Sequence, residues 1–425
     1  SVSVPRLIYG FNFRAIQEKV KGYFANRGTP WALAVFLFLL LGCVEEFVPK
    51  TRTFESALVI EATITNELKL QEILLSRTFR FESNVPNPES GAAVRILDDA
   101  GNEYAFGETD TGRYVSRTEF TAQPNRKYTL EVTTTDGREY ASEPTQLTQA
   151  STIEDLYAER ITNDDGVEGM AIFVDSFDPT NSSQFYRYEY EEAYRIIAPD
   201  WRSVDLAPAP DTEDFDPCDV VIVGGDPDAE VCYWSATSNT IIITETESLD
   251  SDRVVRFPVR FIDRDNYIIS HRYSILVRQF VQTSQAYTFF STLQDFSGTE
   301  SLFSDTQTGF FNGNVFSKEN ENEKVLGYFD VASVTERRLF FNYDDFFPGE
   351  ELPPYAVPCE PIAPPLVDAS GRCRLRFFVA SNGVRYLREN DSPVPFIEGP
   401  YFVVPRACGD CTVLGSTEVP DFWVE

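Results

Sequence analysis

Short runs of alternating apolar and polar residues recur along most of the chain. In its first third they are Ala57–Thr65, Ala92–Leu97, Tyr104–Phe106, Gly112–Ser116 and Tyr128–Thr134. A period of two is typical of strands that bury one face. The segments Asp98–Asn102 and Asp136–Gly137 carry the Gly and Asn residues that close hairpins. Residues 53–150 are therefore predicted to form a β-sandwich of immunoglobulin or transthyretin type.

The same pattern continues in the rest of the chain. In one predicted strand, three tyrosines alternate with charged residues, so that the tyrosines share a face and Arg187, Glu189 and Glu191 share the other. Similar strands are predicted at 240–244, 254–262 and 273–281. Residues 151–425 are thus predicted to form a larger β-rich domain with one or few short helices.

One helix and two long loops interrupt this pattern. Ser284 is a candidate N-cap and Gly298 a candidate end, and between them Ala286, Tyr287, Phe290 and Leu293 recur at helical spacing. We interpret this apolar stripe as core, with a partner-docking face as the alternative. Segments 200–230 and 347–368 are rich in Pro, Asp or Gly and are predicted to be irregular.

The amino-terminal segment has the order of a bacterial export signal. Basic residues precede an unbroken apolar run of eleven residues, 31–41, and Gly42-Cys43 follows at once. Crossing a bilayer takes roughly 20 apolar residues, so this run is too short to be a permanent anchor. Its end resembles the lipobox of bacterial lipoproteins. We predict that residues 1–42 are a cleaved signal peptide, that Cys43 is lipidated and that 43–52 is a tether; a buried or disulfide-bonded Cys43 is the alternative.

The residues after Cys43 bear on the destination of the protein. Val44 stands where an inner-membrane retention signal carries Asp, which favours sorting to the outer membrane. Glu45 and Glu46 resemble the surface-export signal of Bacteroidota lipoproteins, although a solvated acidic linker would look the same. We expect an exported protein that is anchored in the outer membrane and exposed on the cell surface.

The net charge of the chain limits the classes of macromolecule that it can bind. The formal net charge is −31, and removal of residues 1–42 takes away five basic residues and one acidic residue, which makes it −35. Long-range repulsion from phosphate backbones opposes nucleic-acid binding at this charge. No nucleic-acid partner is therefore expected.

Six cysteines follow Cys43. They are Cys218, Cys232, Cys359, Cys373, Cys408 and Cys411, and an even number in an exported chain suggests up to three disulfides. Cys218 and Cys232 are expected to pair with each other, and the other four among themselves. Zinc binding by those four is an alternative. A redox site at Cys408-Gly-Asp-Cys411 is disfavoured because the residues after it, 412–414, favour a strand over a helix.

Several short motifs together resemble one known family. In chain order they are the lipobox, Leu58-Val-Ile-Glu61 with Ile64-Thr65, Cys232-Tyr-Trp234, Phe310-Phe-Asn-Gly-Asn314, Val325-Leu-Gly-Tyr-Phe329, and Cys408-Gly-Asp-Cys411 with Pro420-Asp-Phe-Trp423. The pattern resembles the Bacteroidota lipoprotein family called domain of unknown function 4249. That resemblance implies an outer-membrane lipoprotein, often encoded beside a TonB-dependent transporter of the starch-utilisation type. The resemblance implies no catalytic residue, because none is established for the family.

Three classes of function are consistent with these sequence features. The leading hypothesis is a ligand-binding or accessory subunit of a TonB-dependent β-barrel transporter, with a small molecule, glycan or peptide as ligand. The alternatives are a free-standing adhesive or structural surface lipoprotein and a glycan- or peptide-acting hydrolase.

Candidate chemistry in the sequence is sparse. The chain has one histidine, His271, and no motif of a serine hydrolase or metalloprotease, so no catalytic residue is assigned and His271 is interpreted as structural. No metal or cofactor site is assigned. Calcium is kept as a weaker hypothesis for the oxygen-rich turns at 163–166, Asp175 with Asp178, and Asp263 with Asp265.

Overall fold

The computed structural model describes residues 56–78, 87–298 and 313–425. The predicted signal peptide, Cys43 and the tether lie outside the described residues. Ser56–Glu425 form one compact unit. Within the described part of the chain, no helix is both long enough and apolar enough to cross a membrane.

The first nine strands confirm the β-rich prediction for the amino-terminal region. They are β1 (Leu58–Thr65), β2 (Glu72–Arg77), β3 (Asn87–Pro88), β4 (Ala93–Asp98), β5 (Glu103–Asp110), β6 (Arg113–Ser116), β7 (Lys127–Thr133), β8 (Glu139–Ser142) and β9 (Thr145–Gln146). The turn between β4 and β5 is held by Asp98, whose carboxylate accepts the backbone N–H groups of Ala100 and Asn102. Gly137 closes the β7–β8 hairpin at a φ of 86°.

The rest of the chain is also mainly β. Its strands are β10 (Thr152–Thr162), β11 (Glu168–Phe177), β12 (Phe185–Ile197), β13 (Val204–Pro208), β14 (Val220–Gly224), β15 (Val231–Thr237), β16 (Ile242–Glu245), β17 (Arg253–Asp263), β18 (Arg272–Gln282), β19 (Val315–Ser317), β20 (Val325–Asn342), β21 (Val384–Glu389) and β22 (Tyr401–Pro405). The helices are α1 (Ser284–Gly298), α2 (Tyr343–Phe346), α3 (Arg374–Ala380) and α4 (Arg406–Gly409).

One long sheet runs through both regions. Its order is β15-β12-β18-β20-β1-β2-β6-β5-β4-β7-β8-β19. The first half of β20 pairs in parallel with β1, and its second half pairs antiparallel with β18. The predicted boundary at residue 150 falls between β9 and β10, and strands from both regions, joined where β1 pairs with β20, share this sheet.

Two large apolar cores lie against the sheet. The first is enclosed by residues from β1, β2, β4 to β8, β19 and β20, among them Ile64, Ile96 and Phe329. Because strands far apart along the sheet contribute to this one core, the sheet folds over it. The second core lies between the central sheet and a separate sheet, β10-β11-β17. Tyr186 and Tyr188 of β12 point into this second core and are buried, as the tyrosine alternation predicted.

The last part of the chain and the β13–β14 hairpin form a smaller, cross-linked region. The hairpins β13–β14 and β21–β22 enclose a small core with Leu375 of α3. Segment 200–230, predicted to be irregular, thus contains a β-hairpin. The sequence signal was the apolar run at 220–223, which the many acidic residues around it obscured.

All six described cysteines form disulfides, but not the pairs we expected. The bonds join Cys218 to Cys373, Cys232 to Cys411, and Cys359 to Cys408. The predicted Cys218–Cys232 bond is wrong because Cys232 lies on β15 and points into the second core, whereas the β13–β14 hairpin holds Cys218 next to α3. These bonds leave no thiolate among the four proposed zinc ligands.

The segment after Cys408 also differs from its prediction. Residues 411–413 form a 3₁₀ turn and not a strand. The carboxylate of Asp410 accepts the N–H of Thr412 at 3.0 Å, and Cys411 is bonded to Cys232. This local cap and the cross-link outweigh the β-propensity of Thr412 and Val413.

Two of the family-like motifs meet in the structure. Asn314 is buried, and its side chain donates to the carbonyl of Phe329 at 2.8 Å and accepts from the N–H of Phe329 at 2.7 Å. Gly313 allows this approach, because a Cβ at that position would overlap the carbonyl of Gly327. The motifs therefore have a structural role: an amide side chain takes the place of a neighbouring strand beside β20.

We expect Asn314→Ala to lower the free energy of unfolding by about 2–4 kcal/mol, because it leaves two buried backbone groups of Phe329 without partners. Denaturant unfolding followed by circular dichroism measures the change. Asn322→Ala, at an exposed position in the same region, is the matched control and should change the stability by less than about 0.5 kcal/mol. Equal effects of the two substitutions would contradict this role for Asn314.

Candidate ligand-binding cleft

Helix α1 lies over one face of the central sheet. Its N-cap is Thr283 and not the predicted Ser284, since the Thr283 hydroxyl accepts the N–H of Ala286 at 3.1 Å. Near its other end, the Gln294 side chain donates to the carbonyl of Ile241 at 2.7 Å. The first bond caps the helix, and the second fixes its far end to the segment before β16, so that the helix contacts β12, β16, β18 and β20.

The predicted apolar stripe of α1 is only partly core. Ala286 is fully buried, but Phe290 and Leu293 are half-buried. Together with Phe289 they line a cavity of about 900 Å³ between the helix and the sheet. The stripe thus forms one wall of a cleft, which we call the α1 cleft.

The floor of the α1 cleft is the outward face of the sheet. Val59 and Glu61 of β1, Leu74 of β2, and Leu326 and Tyr328 of β20 contribute to it. Their alternation explains this: β1 buries Leu58, Ile60 and Ala62 in the first core, so the residues between them face the helix. The lining is therefore apolar and aromatic with a few charged groups, as in most small-molecule sites.

Arg187 is the charged residue that lies deepest in the cleft. Sequence alternation placed it on a solvent-facing side, yet α1 covers that side and leaves only 8% of Arg187 exposed. Its guanidinium lies 4.4 Å from the ring centre of Phe280 and 4.9 Å from that of Phe290. It also forms an ion pair with Glu189, which is part of the cleft wall. Its Nε atom has no hydrogen-bond partner among the described residues.

Asp330 lies beside the cleft on the same face of β20 as Tyr328. It is fully buried, and Gln282 donates to one of its carboxyl oxygens at 3.3 Å. The other oxygen, Oδ1, has no partner within the described part of the chain. Burial raises the pKa of Asp330 above its ordinary value, although the positive charge of Arg187 and the bond from Gln282 act against this rise.

A second set of charges lies at the rim of the cleft. Arg278 forms ion pairs with Glu67 and Glu336, and Lys69 binds Glu67 at 2.6 Å. Burial alone would raise the pKa of Glu67, but the bond from Lys69 and the charge of Arg278 outweigh it and lower the pKa below its usual value. The rim is therefore an ion-pair network that already satisfies its own charges.

The one histidine does not form part of a catalytic group in the described structure. His271 precedes β18, far along that strand from Phe280, and its backbone carbonyl accepts the N–H of Tyr343. Burial and the nearby charge of Arg195 lower the pKa of its imidazole below 6.5. Among the described residues, its side chain makes no hydrogen bond to a hydroxyl or carboxylate.

The oxygen-rich turns proposed for calcium are held by hydrogen bonds of the protein itself. The side chains of Asn163, Asp178 and Asp263 accept backbone N–H groups two to four residues further on. Asp175 accepts the N–H of Arg256. In the described ranges, no group of three or more His, Cys, Asp or Glu residues is arranged to hold a metal ion.

Fold and cleft together define a mainly β protein with a ligand-sized cleft under one helix. The chain matches the family described as domain of unknown function 4249 over residues 44–338. It therefore belongs to that family, and the resemblance noted from the motifs is confirmed. The motifs at 408–411 and 420–423 lie beyond the matched residues.

Other comparisons add little. No curated protein matches the chain. Among solved structures, one similar chain belongs to a structure described as the complete structure of manganese lipoxygenase of Gaeumannomyces graminis and a partial structure of zonadhesin of Komagataella pastoris. It is 9% identical, covers 54% of this chain and 89% of that chain, and has a TM-score of 0.14. A likeness this weak carries no argument about fold or function.

Sequence reasoning found neither Arg187 nor Asp330 as site residues. For Asp330 a signal was present: it is a single acidic residue within the otherwise uncharged run 325–334. An isolated carboxyl in a buried strand is costly and points to a special environment. For Arg187 there was no such signal, because its burial depends on where α1 packs.

We expect Asp330→Asn to raise the free energy of unfolding relative to the parent, and to do so more at about pH 8 than at about pH 4, which is close to the unfolded pKa of the carboxyl. A carboxyl whose pKa is raised by folding stabilises the folded state most below its unfolded pKa of about 3.9, and that stability is lost as the pH rises. The gain approaches roughly 1.4 kcal/mol for each unit by which folding raises the pKa.

Urea unfolding at the two pH values measures this gain. Asp214→Asn, at an exposed position, is the control and should show no such pH dependence. A variant that is less stable than the parent at both pH values would mean that Asp330 is instead ionised and paired with Arg187.

Proposed function

We propose that this protein is an outer-membrane, surface-exposed lipoprotein that captures a small amphipathic ligand, as a binding or accessory subunit of a TonB-dependent transporter. The observation that carries ligand capture is the α1 cleft, with its aromatic wall and buried Arg187. Its volume of about 900 Å³ lies within the range of roughly 300–1,000 Å³ that is typical of small-molecule sites.

The lining suggests the chemistry of the ligand. Phe289, Phe290 and Leu293 offer a surface for an apolar or aromatic body, or for the apolar face of a sugar ring. The charge of Arg187 is already matched by Glu189, so a second full negative charge would gain little there. An uncharged polar group that accepts a hydrogen bond from the guanidinium fits better.

Anchoring and partner rest on the sequence and on family membership. The export signal and Cys43 support a lipid anchor, and the acidic residues after Cys43 support surface exposure. The family resemblance supports association with a TonB-dependent barrel. Binding is favoured over turnover because the described cysteines are in disulfides and the imidazole of His271 has no described hydroxyl or carboxylate partner.

Nile red, a neutral aromatic dye with a polar carbonyl, is a suitable probe of the cleft. We expect Leu74→Arg to weaken dye binding at least about tenfold, because it places a charge on the apolar floor. Fluorescence titration of the purified protein measures this. Leu352→Arg, at a leucine that is 51% exposed and does not line the cleft, should leave the affinity unchanged. Equal affinities for both variants and the parent would argue against the cleft as a binding site.

A mild-detergent pull-down from native outer membranes tests the anchor and the partner. We expect tagged full-length protein to recover a TonB-dependent barrel, identified by mass spectrometry. Cys43→Ala should abolish membrane attachment and reduce barrel recovery, because the lipid predicted on Cys43 would supply most of the membrane affinity. An anchored protein that is recovered without any barrel would overturn the transporter role and favour a free-standing surface protein.

A further inference from the structure

Strand β14 is an open edge. Among the described strands it pairs with β13 alone, in the register Leu206 to Ile222. The bonds from Gly225 to Ser203 and from Ala209 to Asp219 show which residues face β13. By alternation, the N–H and C=O groups of Ile222 and Gly224 point away from it. No described residue accepts from or donates to these outward groups.

The side chains of β14 leave this edge accessible. Ile222 is 43% exposed and Val223 is 39% exposed. A Cβ built on Gly224 would meet no atom within 4 Å. Exposed sheet edges are usually protected by a Lys, a Pro or a bulge within the edge strand, and Val220–Gly224 has none of these. An apolar, regular and unprotected edge is the surface to which extended peptides add as a further strand.

The edge is also held rigidly in place. Just before β14, Cys218 is bonded to Cys373 at the start of α3. From α3, the Arg376 guanidinium donates to the carbonyls of Ala209 and Asp219, at 2.8 and 3.1 Å, which ties the helix to the base of the loop between β13 and β14. A partner strand would therefore meet a preformed template, which reduces the entropy lost on binding.

Unpaired carboxylates flank both ends of β14. Glu213, Asp214 and Asp216 precede it, and Asp228 and Glu230 follow it; all are exposed, and none forms an ion pair with a described residue. A second copy of this chain would bring equal acidic clusters together and be repelled. A strand with basic residues on either side of a short apolar stretch is complementary in charge.

We propose that the β14 edge binds an extended peptide segment with flanking lysines or arginines by β-strand addition. The outward groups of Ile222 and Gly224 form the backbone hydrogen bonds, and the flanking carboxylates select the basic residues. This site lies outside the α1 cleft, so the inference stands or falls independently of the proposed function.

The probe is a fluorescein-labelled peptide, Lys-Lys-Thr-Val-Thr-Val-Lys-Lys, with a version in which Glu replaces every Lys as its control. Fluorescence anisotropy with the full chain measures both affinities. We expect Ile222→Pro to weaken binding of the basic peptide at least about tenfold, because it removes an outward N–H. Ile222→Thr, which keeps that N–H and the strand propensity, should stay within about threefold of the parent.

A second variant tests the flanking carboxylates and leaves the residues of β14 unchanged. Glu213→Lys with Asp214→Lys reverses charge at exposed positions and should weaken the basic peptide at least about fivefold. Equal affinities of the Pro and Thr variants, equal binding of both peptides, or no binding of the basic peptide at about 1 mM would each overturn the proposal. So would a dimer of the parent, seen by sedimentation, that Ile222→Pro abolishes, because the edge would then bind a second copy.

Discussion

The pairing of β1 with the first half of β20 is the interaction on which the rest of the structure depends. It joins strands that are more than 250 residues apart in sequence into one sheet. The register is continuous, from Leu58 opposite Val325 to Thr65 opposite Ala332. The pairing requires close backbone contact at Gly327, which has a φ of 131° and whose Cβ, if present, would overlap the carbonyl of Ile60. Gly313 and Asn314 then cover the other side of this contact. The first core, the second core and the floor of the α1 cleft are all attached to this one junction.

The same junction explains the charges under α1. A strand that is covered on both faces is expected to be apolar throughout, and β20 is buried from Gly327 to Val334. Asp330 breaks that rule: desolvation disfavours its charged form and so raises its pKa, and Gln282 donates a hydrogen bond to it. Arg187 is tolerated because two aromatic rings and Glu189 surround its guanidinium. Polar groups retained at such cost beside an aromatic cleft are the physical basis for proposing a binding site there.

Local patterns predicted the strands well and the long-range structure poorly. Alternation located β1, β4, β7, β17 and β18 to within two residues, because each buries one face against a core. It could not show that β20 pairs with strands of both regions, because pairing between strands so far apart in sequence produces no local sequence pattern. Disulfide pairing failed for the same reason: Cys218 and Cys232 are close in sequence, but the folding of β13–β14 and of β15 carries them to different partners. The cleft was missed because burial of Arg187 depends on the position of α1.

The distribution of the disulfides shows which part of the molecule needs them. All three lie between Cys218 and Cys411, and none lies in β1 to β9. The strand-rich regions bury large continuous cores, whereas the core under α3 is small and the segments around it are mostly irregular. A small core does not offset the conformational entropy of long loops, so cross-links that restrict the unfolded chain supply the difference. The same cross-link that compensates for the weak core, Cys218–Cys373, also fixes the open edge of β14, so stability and a preformed interaction surface have one cause.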